Sequence, residues 1–185
     1  TATAVSARAE DDDAALVRRA RGGEAAALDA LVARHHRAVY EVAYRVLGDR
    51  DQAADAAQDA FVRAIGALAG FRGDASFRTW LLRIALNTAR SAGRKRTRRR
   101  EVSLEAVSGT LEGSSDPARQ ALTRTEAERA ERALASLPEK QRLAVSLRIH
   151  QGLSHREIGE LTDSSEGSAR VNYHLGIRKL RELLK

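Results

Sequence analysis

Apolar positions recur along this chain with the period of an α-helix, and Gly, Pro and small polar clusters punctuate them. Ala14 to Arg21 predict a short helix that stops at Gly22 and Gly23. Leu28, Leu31, Val32, Val39, Val42, Ala43 and Val46 then trace a long helix that Gly48 ends. Asp51 is positioned to cap a third helix, Gln52 to about Leu68. Gly70 and Gly73 bracket a turn, and a fourth helix begins near Ser76. In it Phe77, Trp80, Leu81 and Ile84 stand at offsets 0, 3, 4 and 7, which makes one buried stripe. Trp80, lying on that stripe, reads as core.

These helices predict a first domain over residues 14–96, preceded by a disordered tail over 1–13 that is small and then acidic. From 97 to 122 the periodicity disappears, and SGTLEGSSDP reads as a linker. A second domain over 123–185 opens with a helix from Thr123 to Ala135 and another with Pro138 at its first position, stopped by Gly152. Ser154-His155-Arg156-Glu157 has the form of a capping box, starting a short helix that ends near Leu161. The turn Thr162 to Ser165 leads to a longer helix, Glu166 to Leu184. Short helix, tight turn and longer helix, with small Gly159 at the crossing, is the layout of a helix-turn-helix. The predicted fold class is all-α, two small helical domains on a flexible linker.

Charge changes this picture from scaffold to partner. Residues 1–71 carry net −2, 72–100 carry +9, 101–122 carry −3, 123–137 carry zero and 138–185 carry +3. The excess of +7 therefore has an address in the fourth helix. A focused basic patch neutralises phosphates and releases counterions, so nucleic acid is the expected partner. At about 100° per residue, Arg83, Asn87, Arg90 and Arg94 share a stripe beside the buried one. On the last helix Ala169, Tyr173, Gly176, Ile177, Leu180 and Leu184 fall on the core side. Arg170, His174, Arg178 and Arg181 line the other, with Val171 and Leu175 beside them. Aliphatic side chains among cations suit thymine methyls in a major groove.

Other chemistry is thinly represented. With no Cys, disulfides, zinc ribbons and thiol catalysis are excluded. His35 and His36 point to different faces, and His150, His155 and His174 lack metal-ligand spacing, so all five are expected to be surface or DNA-side residues, with no metal and no cofactor. No apolar run approaches the ~20 residues of a membrane span, and residues 1–13 lack the layout of a signal peptide; a cytoplasmic protein without membrane insertion is expected.

Three ordered stretches resemble the extracytoplasmic-function (group 4) sigma factors of bacterial RNA polymerase. RHHRAVYEVAYRVLGDRDQAADAAQDAFVRAI looks like the family's regions 2.1 and 2.2, and FRGDASFRTWLLRIALNTAR like 2.3 and 2.4. LPEKQRLAVSLRIHQGLSHREIGELTDSSEGSARVNYHLGIRKLREL looks like region 4. The resemblance implies a dissociable, non-enzymatic subunit that binds core RNA polymerase, at the β′ clamp helices and the β flap, and recognises −10 and −35 promoter DNA. It also implies an anti-sigma factor as a partner.

Carried over by position, the resemblance assigns Asp55, Gln58, Asp59 and Arg63 to core polymerase, with Phe61 more a core residue than a contact. It assigns Arg72, Gly73, Asp74, Ala75 and Ser76 to a −10 loop that holds a flipped base, and Arg83, Asn87, Arg90 and Arg94 to the helix beside it. The −35 face comprises Ser168, Arg170, Val171, His174, Leu175, Arg178 and Lys179. Two departures stand out. Asp163-Ser164 replaces the usual Gly-Val of the turn, and Val171-Asn172-Tyr173 replaces the commoner Ser-Arg-Leu. The competing reading is a stand-alone, dimeric helix-turn-helix regulator, which leaves the first domain without a role and lacks a heptad run for self-association.

Overall fold

The structure, a computed structural model, describes residues 2–106 and 126–185, and all regular structure among them is helical. Four helices form the first cluster: α1 (Ala2–Arg21), α2 (Ala25–Leu47), α3 (Arg50–Ala67) and α4 (Phe77–Ala106), with a 3-10 turn at Leu68–Gly70. Four more form the second: α5 (Glu126–Ala135), α6 (Glu139–Ile149), α7 (His155–Leu161) and α8 (Glu166–Leu183).

The first cluster packs a small face against a large one. α3 buries Ala53, Ala56, Ala57, Ala60 and Ala64, which lets the backbones of α2 and α4 approach closely. α4 supplies Leu81, Leu82 and Leu86, and α2 supplies Val39 and Val42. Gly48 ends α2 in the left-handed conformation, as its place after Leu47 predicts. The cap of α3 differs from the expectation: Asp49, not Asp51, accepts hydrogen bonds from the Asp51 and Gln52 amides, both at 3.1 Å.

Two boundaries move outward. The segment expected to be a disordered tail is helical from Ala2 and runs unbroken into α1. Its junction with the core is Asp13, buried against α2, where His35 and Arg34 hold it; that anchor is invisible to a count of local hydrophobicity. α4 likewise continues to Ala106 through the first ten residues of the expected linker. Residues 97–106 contain no Gly or Pro, and a helix already nucleated propagates through Arg, Glu and Leu without needing a buried stripe. The remainder of the expected linker, and residues 123–125 of the expected next helix, lie outside the described residues.

The second cluster is built around the capping box. Ser154 Oγ accepts from the Glu157 amide at 3.2 Å, and Glu157 Oε2 accepts from the Ser154 amide at 2.7 Å. Ile158 and Leu161 of α7 pack with Leu143 and Leu147 of α6 and Ala169 of α8. Gly159 sits where α7 meets the turn, so close that a Cβ there would lie 2.8 Å from the Ser164 carbonyl oxygen. Asp163 occupies the left-handed position of that turn at φ 54°, which Asp tolerates. Pro138 stands one position outside the expected one, as N-cap of α6, and Leu184, expected in the core, is exposed beyond the end of α8.

The two clusters are packed on each other, α2 against α6 and α4 against α7. Val42 meets Leu143 and Leu147 there, lining a cleft of about 10 Å³. Polar groups ring this contact. Arg45 pairs with Glu131 at 2.9 Å, Arg142 Nε donates to the Arg45 carbonyl at 2.7 Å, and buried Gln151 accepts from Arg78 at 2.6 Å and donates to Glu41 at 2.5 Å.

Candidate nucleic-acid interface

The first face is the entry to α4. Ser76 caps the helix: its hydroxyl accepts from the Thr79 amide at 3.1 Å and donates to Thr79 Oγ1 at 2.9 Å, so that oxygen is committed to structure. Before it, Gly73 takes φ 82°, a conformation that favours glycine, and turns the chain so that Arg72 and Asp74 stand exposed. The loop borders a cavity of about 460 Å³ between the two clusters, walled by Arg72, Asp74, Trp80 and Arg83 on one side and by Glu160 and Leu161 of α7 on the other. Trp80 is half-buried, packed on Phe71 at 5.0 Å and Phe77 at 5.7 Å between ring centroids, and also forms part of that wall. It serves as core and as lining together, where the sequence pattern predicts core alone.

Beyond the loop, α4 displays Arg83, Asn87 and Arg94 as exposed side chains and Arg90 as half-buried, on one face as the wheel predicts. Two are engaged across the cluster boundary: Arg83 with Asp163 at 2.6 Å and Arg90 with Glu139 at 2.9 Å. Arg94 donates to Ser91 Oγ at 3.0 Å. Sequence reasoning missed Arg21, which donates to the carbonyls of Ala69 and Phe71 and ties the end of α1 to the start of the loop. Only a contact some fifty residues away in sequence reveals it.

The second face is α8. Arg170, Val171, His174, Arg178 and Lys179 are exposed, Val171 at 57%. Leu175 and Ser168 are half-buried. Ser165 caps α8 by accepting from the Ser168 amide, and Asn172 donates to the Ser168 carbonyl at 2.9 Å, so Ser168 lies in the rigid first turn. Arg170 leans back on Glu166 at 2.7 Å. His155, at the start of α7, packs between Tyr173 and His174 with ring centroids 5.3 and 6.4 Å away. Burial foremost, then the charges of Arg148, Arg170 and His174, push its pKa below the usual imidazole value, and its Nδ1 has no hydrogen-bond partner among the described residues.

The third face is α3. Asp55, Gln58, Asp59 and Arg63 are all exposed there, and Val62 and Ile65 stand beside them, 66% and 45% exposed. Those two were not singled out by their spacing, which fits an ordinary helix. Phe61 is half-buried and stacks on His36 at 6.3 Å. His35, by contrast, is not on the surface: it is buried, with its Nε2 2.8 Å from Asp13 Oδ2 in the core.

The two helical clusters match known families in sequence. Residues 31–99 match the family model for Sigma-70 region 2, and residues 127–180 match Sigma-70, region 4. The chain belongs to the ECF sigma factors of the sigma-70 family. It is 36% identical over 166 residues to the ECF RNA polymerase sigma-E factor of Escherichia coli K12, covering 85% of this chain and 86% of that one. It is 35% identical over 170 residues to the RNA polymerase sigma-H factor of Pseudomonas aeruginosa, covering 87% and 88%.

Among solved structures, CnrH in complex with the cytosolic domain of CnrY aligns with TM-score 0.68 at 28% identity, over 94% of this chain and 97% of that one. RpoE from Bartonella quintana, in complex with the anti-sigma factor NepR, shares the fold with TM-score 0.69 at 22% identity, over 84% and 95%. As an ECF sigma factor the chain directs promoter recognition by RNA polymerase and is not an enzyme. Among the described residues no helix is long and apolar enough to cross a membrane.

Proposed function

We propose that the three faces divide the work of this sigma factor. α3, through Asp55, Gln58, Asp59 and Arg63 with the apolar Val62 and Ile65, docks on core RNA polymerase at the β′ clamp helices, and the second domain reaches the β flap. The loop Arg72 to Ser76 takes up an unstacked base of the −10 element while Arg83, Asn87, Arg90 and Arg94 follow the strand. Ser76 takes part by capping α4, and Gly73 by turning the loop, with exposed Asp74 beside it. α8 enters the major groove of the −35 element with Arg170, Val171, His174, Leu175 and Arg178 toward the bases and Ser168 and Lys179 toward phosphates.

The observation that carries this reading is the exposed loop at Arg72–Asp74, turned by Gly73 at the N-terminal end of a cationic helix face: a concave edge beside Trp80 for a base, next to charges for its backbone. An anti-sigma factor is the proposed inhibitor; that CnrH, 28% identical to this chain, was solved bound to the cytosolic domain of another protein, CnrY, supports a protein partner of this kind. The test is permanganate footprinting of promoter melting with core polymerase. Asn87→Ala should reduce open-complex formation and alter preference at the base it reads, whereas undiminished melting with unchanged preference would remove Asn87 from the −10 face.

A further inference from the structure

The four residues Arg72 to Ala75 are held from both ends. After them, the Ser76 hydroxyl caps α4 by accepting from the Thr79 amide. Before them, Phe71 is fixed twice. Its ring packs on Phe77 and Trp80, at 5.9 and 5.0 Å between centroids, and its carbonyl accepts from Arg21 Nη1 at 3.3 Å. Arg21 Nη2 donates to the Ala69 carbonyl, in the 3-10 turn that follows α3. Carbonyls at the end of a helical run lack partners inside it, and here one planar guanidinium serves two of them.

Arg21 stands where it does because α1 is fixed on either side of it. Asp13, Val17 and Ala20, at offsets 0, 4 and 7, are buried and set the helix against the first cluster. Gly23 turns the chain at φ 89° directly after the helix, and Arg19 Nε donates to Glu24 Oε2 at 2.7 Å across that turn. The last side chain of α1 is thereby delivered to backbone forty-eight and fifty residues away. Arg21 is itself exposed, so water can take its place on both carbonyls, and its removal opens no cavity. What such a contact controls is the geometry of the loop's stem, with little bearing on the core.

We infer that Arg21 is a positioning residue for the −10 loop: by bracing the Ala69 and Phe71 carbonyls it holds Arg72 to Ala75 in the conformation that receives an unstacked base. This rests on the reading of that loop as the −10 base site. A short loop with Gly73 inside it has other conformations open to it, and a site that is competent only part of the time binds with an apparent affinity reduced by that fraction. Fixing the stem before the strand arrives raises the competent fraction, which is the gain of preorganisation. Arg21 acts through the backbone and not on the base. Its loss therefore loosens the loop's choice among bases as well as its hold on the strand.

The test is capture of a randomised pool of short single-stranded DNA by the complex of the full chain with core RNA polymerase, sequenced after capture and compared with core alone. Arg21→Ala should weaken capture by about three- to tenfold and flatten base enrichment at one position, while thermal melting and pull-down of core match the unaltered chain. Arg21→Lys keeps the charge but not the fork that spans two carbonyls, and should fall between. Weaker capture of every sequence alike, restored in full by the lysine, would make Arg21 a phosphate contact and overturn the inference. Unchanged capture and enrichment in Arg21→Ala overturn it as well, and so does a loss of capture that tracks a lowered melting temperature in both variants. Asn87→Ala, run beside them, separates this inference from the reading beneath it. If Asn87→Ala alters enrichment and Arg21→Ala does not, only the brace falls; if the unaltered chain adds no base enrichment to that of core alone, the −10 reading falls and the brace with it.

Discussion

Asp13 and His35, twenty-two residues apart, meet inside the first cluster with 2.8 Å between carboxylate oxygen and Nε2, while Arg34 takes the other carboxylate oxygen at 2.7 Å. The His35 ring also packs on Phe77, the first residue of α4, at 5.5 Å between centroids. One buried carboxylate therefore couples α1 to α2 and, through His35, to the start of α4. Replacing Asp13 by Ala should cost roughly 1.5 to 3 kcal/mol, the range for hydrogen bonds to charged groups, read as a loss in urea-unfolding free energy with an unchanged slope.

The same carboxylate sets an acid limit. Burial raises the Asp13 pKa, but the hydrogen bonds and charges of His35 and Arg34 outweigh it and the net shift is downward. A group whose pKa is depressed on folding contributes stability that is present above its unfolded value and lost as pH falls through the folded one. The unaltered chain should therefore lose stability more steeply than Asp13→Asn as pH falls through and below the ordinary Asp value of about 4. Parallel acid limbs for the two proteins would show that the pair does not carry this dependence.

At the helix-turn-helix, Gly159→Ala should destabilise the second domain by about 1 to 3 kcal/mol, since the new Cβ would press on backbone that cannot rotate away. Gly176→Ala should cost less. Its closest clash, at 2.7 Å, is with the Val145 Cγ2 methyl, which has side-chain freedom to yield. Thermal melting of both variants checks the order.

On the α3 face, Asp55→Lys with Asp59→Lys should reduce capture of core RNA polymerase by about tenfold at low salt, as rim charges chiefly change association. Because both side chains are exposed, folding should be unaffected. Pull-down matching the unaltered chain would reassign the contact to Val62 and Ile65.

On α8, Arg170→Ala should cost about 1 to 3 kcal/mol at one promoter position and relax preference there, whereas Lys179→Ala should weaken all promoters alike and flatten the salt dependence. A library of −35 variants scored by transcription separates the two. Equal loss at every promoter for Arg170→Ala would make Arg170 a positioning residue and shift base reading toward Val171 and His174.

How much of this was legible in the sequence follows from the range of each interaction. The Ser154–Glu157 box, the Gly48 stop and the α4 stripe rest on residues within two turns of one another, so spacing alone announces them. The continuation of α4 to Ala106 was hidden because residues 97–106 carry no apolar periodicity, the local signal on which the expected end of the helix rested. Asp13–His35, Arg21 to the loop carbonyls and Arg83–Asp163 are long-range pairs of ordinary polar residues, and no local pattern marks them. His35 was misplaced on the surface for that reason. Site residues on exposed faces were assigned as a set by resemblance, whereas the pairing of Arg83 with Asp163 and of Arg90 with Glu139 required the fold.

The central claim is that the chain directs core RNA polymerase to promoters defined by two separated elements, read by α4 and α8. The most direct measurement is in vitro transcription from a randomised promoter library with core polymerase, with and without the full chain, followed by start-site mapping. The account predicts chain-dependent transcripts whose upstream DNA shares two conserved elements at fixed spacing, with Asn87→Ala changing the nearer and Arg170→Ala the farther. Tight, palindrome-specific duplex binding by the chain alone, with no chain-dependent initiation when core polymerase is supplied, would contradict it.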